Sequence, residues 1–71
     1  MLPLKLVNEA YSIALQEDPT EYSKKRLIKM YLRAIDNINC PIDKIKEDSV
    51  YFEKAFSDAK KHFLKAREAH L

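Results

Sequence analysis

Apolar residues recur along this chain at intervals of three and four, in three runs separated by proline-bearing breaks. In the first run Val7, Ala10, Tyr11 and Ala14 fall on one stripe, widened by Leu6 and Ile13, while Lys5, Asn8, Glu9, Ser12 and Gln16 fill the other side. That is the period of an amphipathic helix. Pro3 suits a first helical turn, where its missing N–H would be unpaired anyway. The pattern predicts a helix over residues 3–17.

Asp18-Pro19-Thr20-Glu21 reads as a stop and a restart, with Asp18 as cap, Pro19 at the first helical position and Glu21 placed for a capping box. A second helix over 19–39 follows. Its stripe is Leu27, Tyr31, Ala34, Ile35 and Ile38, broadened by Ile28 and Leu32 on one side and Met30 on the other. So wide an arc suits a helix that touches two neighbours. Asn39-Cys40-Pro41 should end it, since a residue before proline is pushed out of the α region. In the connection over 41–48, Ile42 and Ile45 are expected to tack against the helices. Asp48 or Ser49 can cap a third helix over 49–70. There Phe52, Phe56, Ala59, Phe63 and Ala66 form a heptad-like seam. The expected fold class is all-α, an antiparallel three-helix bundle in one domain.

Composition narrows the function classes. The chain has 71 residues, so little of it is left to wall off a water-excluded active site beside the core. Glycine is absent, which removes phosphate-cradling loops and the easiest route to positive φ. The single cysteine, Cys40, cannot form an internal disulfide and suits a reducing, intracellular setting. No apolar run is long enough for a membrane span, and the first residues lack a secretory-signal pattern. A soluble protein of the cytoplasm or nucleus is expected.

The net charge of +2 hides a gradient: −2 over residues 1–18, +3 over 19–40, −1 over 41–48 and +2 over 49–71. Mildly basic second and third helices could attract an acidic peptide, a tubulin tail or nucleic acid, or simply form a solvated face. Sequence-specific DNA reading is disfavoured, because the third helix presents Lys54, Lys61 and Lys65 with no Asn or Gln for base edges. His62 and His70 stand eight apart without a cysteine pair or carboxylate cluster, so no metal site is expected. Cys40 has no neighbouring histidine and reads as a partly buried small residue rather than a nucleophile. The acidic pairs Glu17/Asp18 and Glu47/Asp48 sit at helix ends, where capping accounts for them. No catalytic residue and no cofactor are expected.

Leu27-Ile28-Lys29-Met30-Tyr31-Leu32-Arg33-Ala34-Ile35 resembles the A-L-x-L-Y-x-x-A-I core of the MIT (microtubule-interacting and trafficking) family. Ala10-Tyr11-Ser12-Ile13-Ala14-Leu15 with its acidic turn is similar to that family's first helix, nearest the spastin type. Phe63-Leu64-Lys65-Ala66-Arg67-Glu68 resembles its L-x-x-A-R/E-x-L ending. The resemblance implies a monomeric adaptor, cytoplasmic and endosome-associated, attached to an AAA ATPase of the spastin, katanin or vacuolar-sorting type or to another trafficking protein. Its partners would be C-terminal tails of ESCRT-III subunits, taken as amphipathic helices between helices 2 and 3 or against helices 1 and 3.

By that resemblance Phe63 stands at the groove position of helix 3, flanked by the small Ala59 and Ala66, with Met30, Arg33, Ala34 and Asn37 as the opposite wall. The same spacing also suits plain core positions for Phe63 and Ala66. Leu64 and Arg67 lie off the seam and are expected to be exposed, while Leu4 and Asn8 are the outer positions for a tail against helices 1 and 3. The alternatives are a structural or oligomerising helical module and a domain that binds microtubules directly through its basic faces.

Overall fold

A computed structural model describes residues 3–47 and 50–69. Three α-helices occupy most of the described residues: α1 over Leu4–Ala14, α2 over Glu21–Asp36 and α3 over Val50–Glu68. They form an all-α three-helix bundle, and no strand occurs among the described residues.

The first two helices are shorter than the spans of 3–17 and 19–39 expected for them. Pro3 lies just before α1, and its carbonyl accepts from the N–H groups of Leu6 and Val7 at 3.0 and 3.1 Å. At the other end Leu15 N–H reaches the Tyr11 carbonyl and Gln16 N–H the nearer Ile13 carbonyl, which tightens the last turn. Beyond it Pro19 pushes Asp18 out of helical geometry, so residues 15–17 fall outside the helix.

The start of α2 corrects the expected capping box. Thr20, not Asp18, is the cap: its hydroxyl oxygen accepts from Ser23 N–H at 3.1 Å. Glu21 instead reaches forward to Lys24 at 3.8 Å. α2 also ends before the Asn39-Cys40-Pro41 signal. Asn37 takes a left-handed conformation (φ 55°, ψ 31°), and both it and Ile38 turn their N–H groups back to the Leu32 carbonyl. In a chain without glycine, asparagine is the residue best able to enter this region. The caps expected at Asp48 or Ser49, like His70, lie outside the described residues.

The core is drawn from all three helices. Ala10, Ile13 and Ala14 of α1, Leu27, Ile28 and Met30 of α2, and Phe52, Ala55, Phe56, Ala59 and Phe63 of α3 form one buried cluster. Both α1 and α2 pack on α3 more extensively than on each other. Leu6, Tyr31, Leu32, Ile45 and Leu64 cover its margins. Leu64, expected to be exposed, is therefore a half-buried margin residue.

The second stripe is buried over only part of its length. Leu27, Ile28 and Met30 are in the core, whereas Ala34, Ile35 and Ile38 are exposed. The contacts between α2 and α3 explain why. Lys24, near the start of α2, meets Glu53 at 3.7 Å and lies 5.5 Å from the Phe56 ring centroid, on one flank of α3. Ile35 and Asp36, at the far end, border Tyr51, Lys54 and Asp58 on the other flank. This distribution is that of helices that cross, so the last turn of α2 stands off the apolar face of α3 and leaves its own apolar residues exposed. The connection then folds back along α2: Ile45 packs on the core and Glu47 pairs with Lys25 at 2.9 Å, returning the chain to where α3 begins.

Polar contacts fix the helices laterally. Arg26 Nε donates to Glu9 Oε1 at 2.6 Å, tying α2 to α1. Arg67 lies 5.8 Å from the Tyr11 ring centroid and ties α3 to α1 by a cation–π contact. The hydrogen bond from Arg26, with its nearby charge, holds the Glu9 carboxyl below its ordinary value of 4.5 against a smaller opposing effect of desolvation.

Two outcomes follow from this architecture. Phe63 is 1% exposed, so Phe63→Ala should cost about 3–5 kcal/mol. That is a large share of the roughly 4–10 kcal/mol expected for a domain of this size, whereas Thr20→Ala should cost about 1 kcal/mol; urea unfolding followed by circular dichroism measures both. Because folding depresses the Glu9 carboxyl, its stabilisation is present above the unfolded value and is lost as pH falls through the folded one. Stability of Glu9→Gln and the parent protein, compared by thermal melts, should therefore converge as pH drops below about 4.5.

Candidate protein-docking groove

The steep passage of α2 over α3 leaves a trough between them. Tyr31, Leu32 and Ile35 of α2 form one wall, and Tyr51 and Ala55 of α3 form the other, enclosing about 390 Å³. Tyr31 meets His62 at a tilt of 58°, with ring centroids 5.3 Å apart, and His62 in turn meets the Phe63 ring edge-on at 4.9 Å. The trough walls therefore belong to helices rather than to loops.

Its rim is charged. Asp36 stands at the α2 end, and Lys54 donates to Asp58 at 2.9 Å along the α3 side. That contact raises the Lys54 ammonium above its ordinary value, mainly through the hydrogen bond. The apolar surface is conspicuous for so small a domain: Ile35 is 46% exposed, Tyr51 70% and neighbouring Val50 92%. Single exposed hydrophobics are ordinary, and Leu4, Leu15 and Tyr22 are as exposed elsewhere, but here Ile35 and Tyr51 line one concave trough, which makes it the candidate surface.

A second cavity of about 340 Å³ continues the first. It lies under the returning connection, between Ile28 of α2, Phe52 of α3 and Ile45, and shares Leu32, Tyr51 and Ala55 with the trough. Cys40, Lys44 and Lys46 stand at its edge. Cys40 is half-buried, as expected of a small residue, with its sulfur 3.6 Å from the Pro41 carbonyl oxygen.

The residues expected to form a groove do not come together as one. Phe63 and Ala59 are almost completely buried, and Met30 is 7% exposed, so all three belong to the core. A heptad seam cannot tell the residue that fills the bundle from one that lines its surface, because both recur at the same interval. Arg33, Ala34 and Asn37 are exposed on α2 but do not line the trough, and Asn37 serves as the helix stop. Ala66 and Arg67 are half-buried, Arg67 because it covers Tyr11. Leu4 and Asn8 are exposed on α1, as expected, but the nearby seam with α3 is bridged by the Arg67–Tyr11 contact. Nothing in the spacing marks Ile35, Tyr51 and Ala55 as groove-lining: Ile35 falls on the apolar stripe of α2, and Tyr51 sits just off the Phe52–Phe56 seam.

Among the described residues, no group of three or more His, Cys, Asp or Glu side chains could hold a metal ion. Nor is any helix among them long and apolar enough to cross a membrane. No family model matches the sequence, and no curated protein or solved structure matches it.

The two most solvated wall residues, Ile35 and Tyr51, contribute little to folding. Ile35→Ser and Tyr51→Ser, each at a largely solvated position, should change stability by no more than about 0.5–1 kcal/mol. Urea midpoints compared with that of Phe63→Ala should separate groove from core.

Proposed function

We propose that this chain is a protein-docking domain of the MIT type. It takes an amphipathic helix from the C-terminal tail of an ESCRT-III-type subunit and so recruits an attached AAA ATPase or other trafficking protein, in the cytoplasm at endosomes. The observation that carries this reading is the open trough between α2 and α3, with Ile35 and Tyr51 solvated on facing walls. A helix laid into it would bury these side chains, and the drive for association is their removal from water.

The shape of the surface supports the choice of ligand. A trough between crossed helices matches the ridge of side chains along one face of a third helix, in the same manner that helices pack inside a bundle. Charges at its rim can pair with those flanking the apolar stripe of such a peptide and set its orientation more than its affinity. The α1–α3 side is the less suitable of the two tail-binding surfaces considered, because Arg67 already lies across Tyr11 there.

The exposed apolar residues favour one other reading, self-association through the same trough. Sedimentation velocity separates the two, since a docking domain stays monomeric as its concentration rises and an oligomerising one does not.

Titration of the isotopically labelled domain with a panel of ESCRT-III tail peptides tests the proposal. A dissociation constant in the micromolar range, near −8 kcal/mol, is expected for a short helix that must order itself on binding. The largest amide shifts should fall at Leu32, Ile35, Tyr51 and Ala55. Ile35→Asp should weaken binding roughly tenfold or more while leaving the circular-dichroism spectrum unchanged. The reading fails if no peptide perturbs these residues, or if Ile35→Asp folds and binds as tightly as the parent.

A further inference from the structure

We infer that the cavity under the connection receives the end of the docked chain, with its free C-terminal carboxylate held by Lys44 and Lys46 and its last apolar side chain inserted beneath Ile45. This rests on the docking reading above and specifies how the tail terminates.

Continuity is the first argument. The cavity and the trough share Leu32, Tyr51 and Ala55, so the two spaces adjoin and a helix lying in the trough ends beside the space at the connection. The space is mostly apolar, bounded by Ile28, Ile45 and Phe52, and at about 340 Å³ it has room for more than one side chain.

Charge is the second. Among the described residues, those around this cavity include two cations, Lys44 and Lys46, and no acid. The neighbouring acid Glu47 is engaged by Lys25 at 2.9 Å, a contact that also holds its carboxyl below the ordinary value. Glu47 therefore already has a cationic partner on the side away from the cavity lining. Asp43 is exposed and not part of the cavity lining. At the opposite end of the trough stand Asp36 and the Lys54–Asp58 pair, so the path is basic only where it passes under the connection. An entering chain thus meets an apolar space with positive charge at its edge, which suits an apolar residue bearing a terminal carboxylate.

The orientation follows from helix electrostatics. The C-terminal end of a docked helix carries negative partial charge in addition to the carboxylate, and cations favour that end. A peptide lying the other way would set its positive N-terminal end against Lys44 and Lys46.

A pair of peptides distinguishes this inference from the docking reading on which it rests. One amphipathic tail peptide ending in leucine is prepared with a free carboxylate and as the carboxamide, and both are titrated by fluorescence anisotropy. The acid should bind the parent domain roughly fivefold more tightly than the amide, the size expected for exposed to half-exposed charge pairs. In the Lys44→Gln, Lys46→Gln double variant that difference should vanish, because acid binding drops to the level of the amide. Equal binding of acid and amide by the parent domain overturns carboxylate capture while leaving docking intact. So does a preference for the acid that persists in the double variant. Failure of both peptides to bind overturns docking as well. Alkylation of Cys40, the single thiol in the chain, gives a second readout followed by mass. The acid should slow it at saturation in the parent domain, and an unchanged rate with saturating acid overturns insertion under the connection.

Discussion

The arrangement of this domain depends on the aromatic face of α3. Phe52, Phe56 and Phe63 present three large rings along one side of the helix, interleaved with Ala55 and Ala59, whose small side chains let neighbouring helices approach closely. The core cluster contains no other aromatic rings. Burial of that face is the main apolar gain available to a 71-residue chain with no disulfide. α1 and α2 both settle on it, and touch each other less.

That dependence governs where the surface is open. Because α2 settles on α3 at a crossing, burial is concentrated where the two meet, at Leu27 and Ile28, and thins out toward Asp36. The last turn of α2 carries an apolar stripe beyond the point where anything can cover it. Asn37 then ends the helix, and the connection folds back to cover Ile28 while leaving Ile35 uncovered. The trough and the cavity beside it are therefore two parts of one consequence. Helices that meet at an angle diverge on both sides of their contact, and here the connection lines one side only.

Ion pairs have a subordinate role. Lys24, Lys25 and Arg26 near the start of α2 reach Glu53, Glu47 and Glu9 respectively, so one run of basic residues ties α2 to α3, to the connection and to α1. All are at least partly solvated, and such pairs contribute little to stability. Their effect is on placement, through the position of Glu47 beside Lys25 and hence of the strap over the cavity. No buried side-chain nitrogen or oxygen among the described residues lacks a hydrogen-bond partner. The interior is thus apolar and satisfied, and polar function is left to the rim.

The helical period alone determined the number of helices, their approximate places and most of the core: Val7, Ala10 and Ala14, Leu27 and Ile28, and the Phe52–Phe63 seam are all buried as their spacing required. Local chemistry near the ends was also present in the sequence, but one signal competed with another. Thr20 outranked Asp18 as cap because its hydroxyl stands three residues before an available N–H, and Asn37 stopped α2 before Pro41 could. What only the tertiary structure decided was which apolar residues remain on the surface. Phe63 and Ile35 lie on equivalent apolar stripes of their own helices, yet one is buried and the other half-exposed. Periodicity reports which face of a helix is apolar, not how far along that face a neighbour extends. The crossing of α2 over α3 sets that limit, and with it the position of the groove.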